Sequence, residues 1–337
     1  MPESRFIRFV KNWLLVIGIV TGACAYLLYH AIPALHPAGP VLEVICRKLQ
    51  PVLLFLMLFL SFCKIEPRDL KPHRWQAWLL LIQGGLFALF GLALAWAAHN
   101  QDTGAGAWIW DNHIILESTM LCLICPTATA CAVMTGKLGG NMAEVVTYTI
   151  IINLLVAVAV PLVVPLIYPE NGLSFFAAFL RILAKVFPLL ILPCLAAWFI
   201  RRFLPKFHGW LLAQVHWSFY IWGFSLTLAI LMSTRAIVHF DGSNWVLAGI
   251  GISSLAACIF QFWAGRKIGK KYGCEISASQ ALGQKNTVFS IWMGYTFLEP
   301  VVSVAGGFYS IWHNVWNSWQ LYRKRLRDEA AAAMHNE

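Results

Sequence analysis

The sequence predicts an all-α polytopic membrane protein, with ten transmembrane helices in two inverted five-helix repeats and one broken helix in each repeat. Three observations predict it. The 337 residues are 59% hydrophobic and 12% charged, with a mean hydropathy of +0.68, a balance that suits a bilayer rather than water. The basic residues fall in alternate connections. Finally, the fourth and the ninth apolar stretches are both interrupted by residues that helices in hydrocarbon avoid.

The stretches run at about 12–32, 49–63, 75–98, 113–137, 144–168, 178–199, 211–234, 244–265, 273–298 and 300–322, most of them long enough for ~30 Å of hydrocarbon. The first follows Arg5, Arg8 and Lys11 and contains Ala23-Cys24-Ala25, the pattern of a cleavable signal, but the charge alternation requires this span to be retained. With the N-terminus in the cytoplasm, the inner connections carry Lys64, Arg68, Lys71 and Arg74, then Lys137, then Arg201, Arg202 and Lys206, then Arg266, Lys267, Lys270 and Lys271, and lastly Arg323, Lys324, Arg325 and Arg327. The outer connections carry Arg47, Lys48, Arg181, Lys185 and Arg235. That asymmetry puts both termini in the cytoplasm of a multi-pass protein of the inner (plasma) membrane. The net charge of +10 therefore reports topology, and no nucleic-acid partner is expected.

Five spans per half is an odd number, so a second copy of the first half inserts upside down. The first repeat is placed at 1–172, the second at 173–322 and a cytoplasmic tail at 323–337. The tail is basic and then Ala-rich, which suits a short helix against anionic lipid. Of the nine cysteines, Cys24, Cys63, Cys122, Cys125, Cys131, Cys194 and Cys258 fall in predicted spans as small apolar residues. Cys122 and Cys125 form a CxxC without a second pair at zinc spacing. No phosphate-binding glycine motif or HExxH is present, and no paired carboxylates converge, so neither an ATP-driven pump nor an enzyme is expected.

Pro126 near the middle of 113–137 removes a backbone donor and clashes one turn back, so that helix kinks or splits. The ninth stretch breaks at Gly283-Gln284-Lys285-Asn286. Lys285 lies 14 residues from the charges on either side, Lys271 and Glu299, or about 21 Å of helix each way. An ammonium at that depth costs roughly 2.5–3.5 kcal/mol on insertion scales and marks a functional site. Breaks at matched positions of two halves point to a binding site at the midplane, where half-helix ends meet substrate or ion.

These segments resemble a known family. Pro126-Thr-Ala-Thr-Ala-Cys-Ala-Val-Met-Thr135 is similar to the Cys-Pro-Gly-Gly-Thr-Ala-Ser-Asn-Val-Met-Thr crossover of the bile acid:sodium symporter family, and Gly283-Gln-Lys-Asn-Thr287 with Ser310-Ile-Trp-His-Asn314 resembles its second crossover and last span. The resemblance implies a panel of spans 1, 2, 6 and 7 against a core of 3–5 and 8–10, with the broken helices crossing in the core and organic anions passing between the domains. It places the substrate or ion site at Pro126, Thr127, Thr129, Cys131, Thr135, Gln284, Lys285, Asn286 and Thr287, with Gln83 and Thr149 as further ligand positions. Cys131 and Ala132 stand where sodium-using members carry Ser-Asn, Ala281 where a Glu is expected, and Lys285 where a Gln is expected. Without those hard oxygen donors, two-sodium coupling is not expected; no cofactor is implied, and a proton remains as the coupling ion.

Elsewhere, Glu117 is assigned to the outer interface in preference to facing Lys285, His216 and Asn153 are expected to bond neighbouring helices, and His313 is expected to hold a hydrogen bond in the core. Tryptophans such as Trp75, Trp78, Trp108, Trp110, Trp245 and Trp319 mark the interfaces. The expected function is secondary transport of a small or amphipathic organic anion by alternating access, with Lys285 as fixed cation or proton carrier. The alternatives are a non-transporting sensor or structural relative, and a conventional sodium-coupled symporter.

Overall fold

The computed structural model describes residues 5–169 and 172–335, and among them every regular element is helical. The helices are α1 (Arg5–Ala31), α2 (Gly39–Cys63), α3 (Arg74–His99), α4 (Gly104–Asp111), α5 (His113–Ile124), α6 (Cys131–Leu138), α7 (Met142–Ile167), α8 (Phe175–Leu190), α9 (Leu192–Phe203), α10 (Pro205–Gln214), α11 (Trp217–Val238), α12 (Asn244–Lys270), α13 (Glu275–Gly283), α14 (Thr287–Phe297) and α15 (Val304–His335).

By length and apolarity, α1, α2, α3, α7, α11 and α12 are each able to cross a membrane. The pair α8 and α9 makes a seventh candidate, bent by 44° where Pro188 and Pro193 interrupt the ladder. The remaining predicted spans fall short of that test for a physical reason: 113–137 and 273–298 are each split into two short helices, and the first half of α15 is diluted by His313, Asn314, Asn317 and Gln320. The predicted tail is the end of α15 rather than a separate helix. A second difference concerns α2, which begins ten residues before the predicted 49 and takes Arg47 and Lys48 into its own turns.

Cap chemistry sets several starts. The His73 and Gln76 side chains close a capping box on α3, and Asn141 and Ser243 accept from the first amides of α7 and α12. Gly139 closes α6 at φ +91°, a left-handed conformation that glycine takes without strain.

The helices pack as one continuous bundle, with α7 on α8 and α11 on α14 joining its two sides. On one side α1 lies on α11, and α2 on α9 and α11. On the other α3 packs on α5 and α7, while α12 packs on α5, α13 and α15. The α12–α13 contact depends on Gly265 and Gly269, four residues apart: a Cβ on the former would lie 2.5 Å from the Ala278 carbonyl oxygen, and on the latter 2.7 Å from that of Cys274. Such small-residue stripes let helix backbones touch where hydrocarbon provides no hydrophobic drive to association. The outward faces carry bare Trp245, Ile252, Leu81 and Val41, as a lipid-facing surface requires.

Candidate functional site

α5 ends at Ile124 because Pro126 cannot donate and forces Cys125 into an extended conformation, φ −47° and ψ 130°. α13 ends at Gly283, and Gln284 is likewise extended. The chain resumes as a helix at Thr287, where the Asn286 Oδ1 caps α14 by accepting from the Phe289 amide at 3.2 Å.

The two extended segments lie antiparallel against each other. Ala128 N–H donates to the Gln284 carbonyl at 2.9 Å and Asn286 N–H to the Pro126 carbonyl at 2.8 Å, bracketing a Thr127–Lys285 pair. Each break therefore satisfies the other's backbone, the condition for leaving non-helical chain deep in a membrane protein. The Thr127 hydroxyl adds a bond to the Ala281 carbonyl at 2.7 Å, and the Cys125 thiol one to the Asn286 carbonyl at 3.0 Å.

The last carbonyls of α5 have no partner in their own helix, and the surrounding core supplies partners one by one. Leu121 O accepts from Cys125 N–H, Cys122 O from Gln261 Nε2 at 3.2 Å, and Leu123 O from Lys285 Nζ at 3.4 Å. Gln83 Nε2 donates to both Ile124 O and Cys125 O at 2.9 Å. The ammonium of Lys285, 1% exposed, thus lies against the negative end of a helix dipole and donates to a carbonyl rather than to a carboxylate. Cys122, Cys125, Cys131 and Cys258 are buried in the same core.

Of the expected site residues, Pro126, Thr127, Gln284, Lys285, Asn286 and Thr287 come together at this crossing, all buried. Cys131 and Thr135 follow on α6, buried, while Thr129 is half-buried at its start. Gln83 joins through the α5 terminus, but its oxygen already accepts from the Tyr148 hydroxyl at 2.9 Å. Thr149 donates to Val145 O in its own helix at 2.9 Å and is not drawn into the cluster. The positions likened to sodium ligands carry thiols and alanines, the Lys285 ammonium lies at the end of α5, and the Gln83 oxygen accepts from Tyr148.

Buried polar atoms without partners collect around the crossing, namely Gln284 Oε1, Asn286 Nδ2, Ser290 Oγ and Thr135 Oγ1. Such atoms call for water or a ligand. His313 Nδ1 accepts from Lys285 N–H at 3.4 Å, the expected core role. Glu117 is fully buried and accepts at 2.5 Å from the hydroxyl of Tyr168, the residue that caps the end of α7. His216 bonds the Ala213 carbonyl just before its own helix, and Asn153 Nδ2 has no partner.

Gln261 and Tyr309 were not singled out by sequence reasoning. Gln261 Nε2 donates to the Tyr309 hydroxyl at 3.0 Å, and Tyr309 donates in turn to Gly283 O at 2.8 Å, at the end of α13. The available signal was a glutamine in the third apolar stretch of each half, Gln83 and Gln261, each bonded to a tyrosine of the fifth.

Two cavities lie among these helices. One of about 420 Å³ lies between α2, α8, α11 and α14, with Arg47, Lys48 and Lys185 beside apolar Pro51, Met232 and Trp292. The other, about 810 Å³, lies among α7, α12, α13 and α15, with Gln280, Arg266, Arg323 and Arg327 on its walls.

The family model for the sodium bile acid symporter family matches residues 51–240, more than half of the chain. None of the curated proteins matches the chain.

Proposed function

We propose, from the premise that the chain belongs to the sodium bile acid symporter family, that it is a secondary transporter of a small or amphipathic organic anion, not coupled to sodium. Membership speaks for membrane transport rather than catalysis. The observation that carries the reading is the Lys285 ammonium, held against the α5 terminus inside the crossing of the two broken helices. A charge there repels an entering cation by ~4 kcal/mol at 4 Å with an effective dielectric of 20, and attracts an anion by as much. The lysine acts as fixed cation in place of a bound sodium, or as proton carrier.

In this reading the helices α1, α2, α8–α9 and α11 form the panel, and α3, α5–α7 and α12–α15 the core, whose movement past the panel gives alternating access. The cleft between α2, α8, α11 and α14, with its cationic wall, supports it. The paired Gln83–Tyr148 and Gln261–Tyr309 contacts support two repeats of five spans, 1–172 and 173–322, and the basic-residue asymmetry supports their inversion with both ends in the cytoplasm. Uptake of labelled organic anions into proteoliposomes, with and without sodium and with a pH gradient, tests the function. Uptake that needs no sodium supports it, and steep sodium dependence overturns it.

The cysteine and alanine residues at the positions likened to sodium ligands also favour a second reading, a non-transporting relative that kept the fold. The same experiment with no uptake of any anion supports that one.

A further inference from the structure

We propose that Arg47 and Arg235 form a carboxylate-binding site at the mouth of the cleft, and that Glu43 occupies it as a built-in competitor until an organic acid displaces it. The proposal rests on reading the cleft as the route of the anion.

Sequence reasoning left the outer basic residues as topology markers, yet three of them line the cleft and Arg235 adjoins it. Arg47 and Lys48 lie on α2 and Lys185 on α8, while Arg235 lies on α11 in an adjacent cavity of about 550 Å³ that shares Cys46 and Met232 with the first. Two guanidiniums converge on one carboxylate oxygen. Arg47 Nε and Nη2 donate to Glu43 Oε1 at 2.9 and 2.7 Å, and Arg235 Nη1 forms an ion pair with the same atom at 2.8 Å.

An Arg pair focused on one oxygen is a recognition geometry for carboxylates or sulfonates, because the fork of guanidinium donors matches a planar anion. Together with Lys48 and Lys185 it distinguishes an acid from a neutral molecule of the same shape, since the neighbouring Pro51, Met232 and Trp292 are apolar. Glu43 is one-quarter exposed and the arginines one-third and one-half, so the ion pairs are open to solvent and exchange with a ligand at small net cost.

The site also touches the core. Arg235 Nη1 donates to the Tyr295 hydroxyl at 2.6 Å, and the Arg47 guanidinium lies 5.1 Å from the centre of the same ring. Tyr295 belongs to α14, the half-helix that begins next to Asn286 at the crossing. An acid with a hydrophobic body enters here carboxylate first, takes the guanidiniums from Glu43, and lays its apolar part against Met232 and Trp292.

Equilibrium binding of radiolabelled cholate and benzoate to the purified protein in nanodiscs tests this, with benzamide as the neutral control. Replacing Glu43→Gln removes the competing charge and should tighten carboxylate binding about tenfold, the yield of one charge-assisted contact no longer shared. Arg235→Gln or Arg47→Gln in that background should reverse the gain, and benzamide should not respond. Glu43→Asp, which withdraws the carboxylate by one methylene, should lie between and serves if Glu43→Gln does not fold. Unchanged or weaker carboxylate binding in the Glu43 variants, or no saturable binding by any of them, overturns the proposal. Glu43-dependent binding without vesicle uptake leaves this site standing and removes the transport reading; uptake that ignores Glu43 does the reverse.

Discussion

Replacing Lys285 by methionine separates a functional lysine from a structural one. The side chain is 1% exposed and its ammonium makes a long hydrogen bond, 3.4 Å, to the Leu123 carbonyl. Removing the donor forfeits that bond, about 1 kcal/mol, and leaves one carbonyl lone, for up to ~3 kcal/mol in all. Against this, the variant no longer holds a buried charge, whose desolvation costs several kcal/mol per ion. Methionine also fills the volume with a flexible apolar chain. The two effects nearly cancel or favour the variant, so its melting temperature in nanodiscs should be equal or higher while anion uptake into proteoliposomes is lost. A loss of stability equivalent to the ~3–5 kcal/mol of a broken buried ion pair, with uptake per folded molecule preserved, refutes the reasoning.

Other expectations follow from the same geometry. If Lys285 is the counter-charge of the anion, its protonated form binds better, so affinity should weaken as pH rises through its titration, and the methionine variant should lack that dependence in a binding assay across pH. Gln83→Leu removes bonds to Ile124 O, Cys125 O and the Tyr148 hydroxyl and should destabilise the protein by about 2–4 kcal/mol, read from its melting curve. Cysteines at Gly104 and Gly242, which the charge asymmetry places outside, should react with an impermeant maleimide added to intact cells; labelling only after lysis contradicts the topology. The pair Lys285→Gln and Ala281→Glu restores two oxygen donors and should give sodium-stimulated binding where the parent shows none, measured by sodium titration.

Pro126 and the Gly283–Asn286 run were legible as breaks because proline chemistry and polar residues in an apolar field are local signals. Their meeting was an expectation from resemblance and matched position; the Thr127–Lys285 bridge that joins them involves backbone groups, on which side-chain identity carries little information. Lys285 was legible as buried from its distance to neighbouring charges. Its partner was not, since Leu123 contributes a carbonyl that any residue would have.

Arg47 and Lys48 misled the reading of α2. Two adjacent charges look like a loop, but one turn earlier Glu43 neutralises Arg47, and both long side chains reach into a cleft rather than lipid. The partner of Glu117 was not legible, because Tyr168, which donates to it, stands at the end of α7, far along the chain. Gln261 and Tyr309 escaped notice because a single glutamine or tyrosine in an apolar helix is common; only the second such pair, Gln83 with Tyr148, makes the first informative.

The central claim is that a fixed ammonium has taken the place of sodium in a member of this family. Initial uptake of labelled cholate into proteoliposomes, compared in sodium and in choline buffers at one pH, tests it most directly. Equal uptake in both, abolished by Lys285→Met, is the predicted result; uptake that appears only in sodium and survives the substitution contradicts the claim.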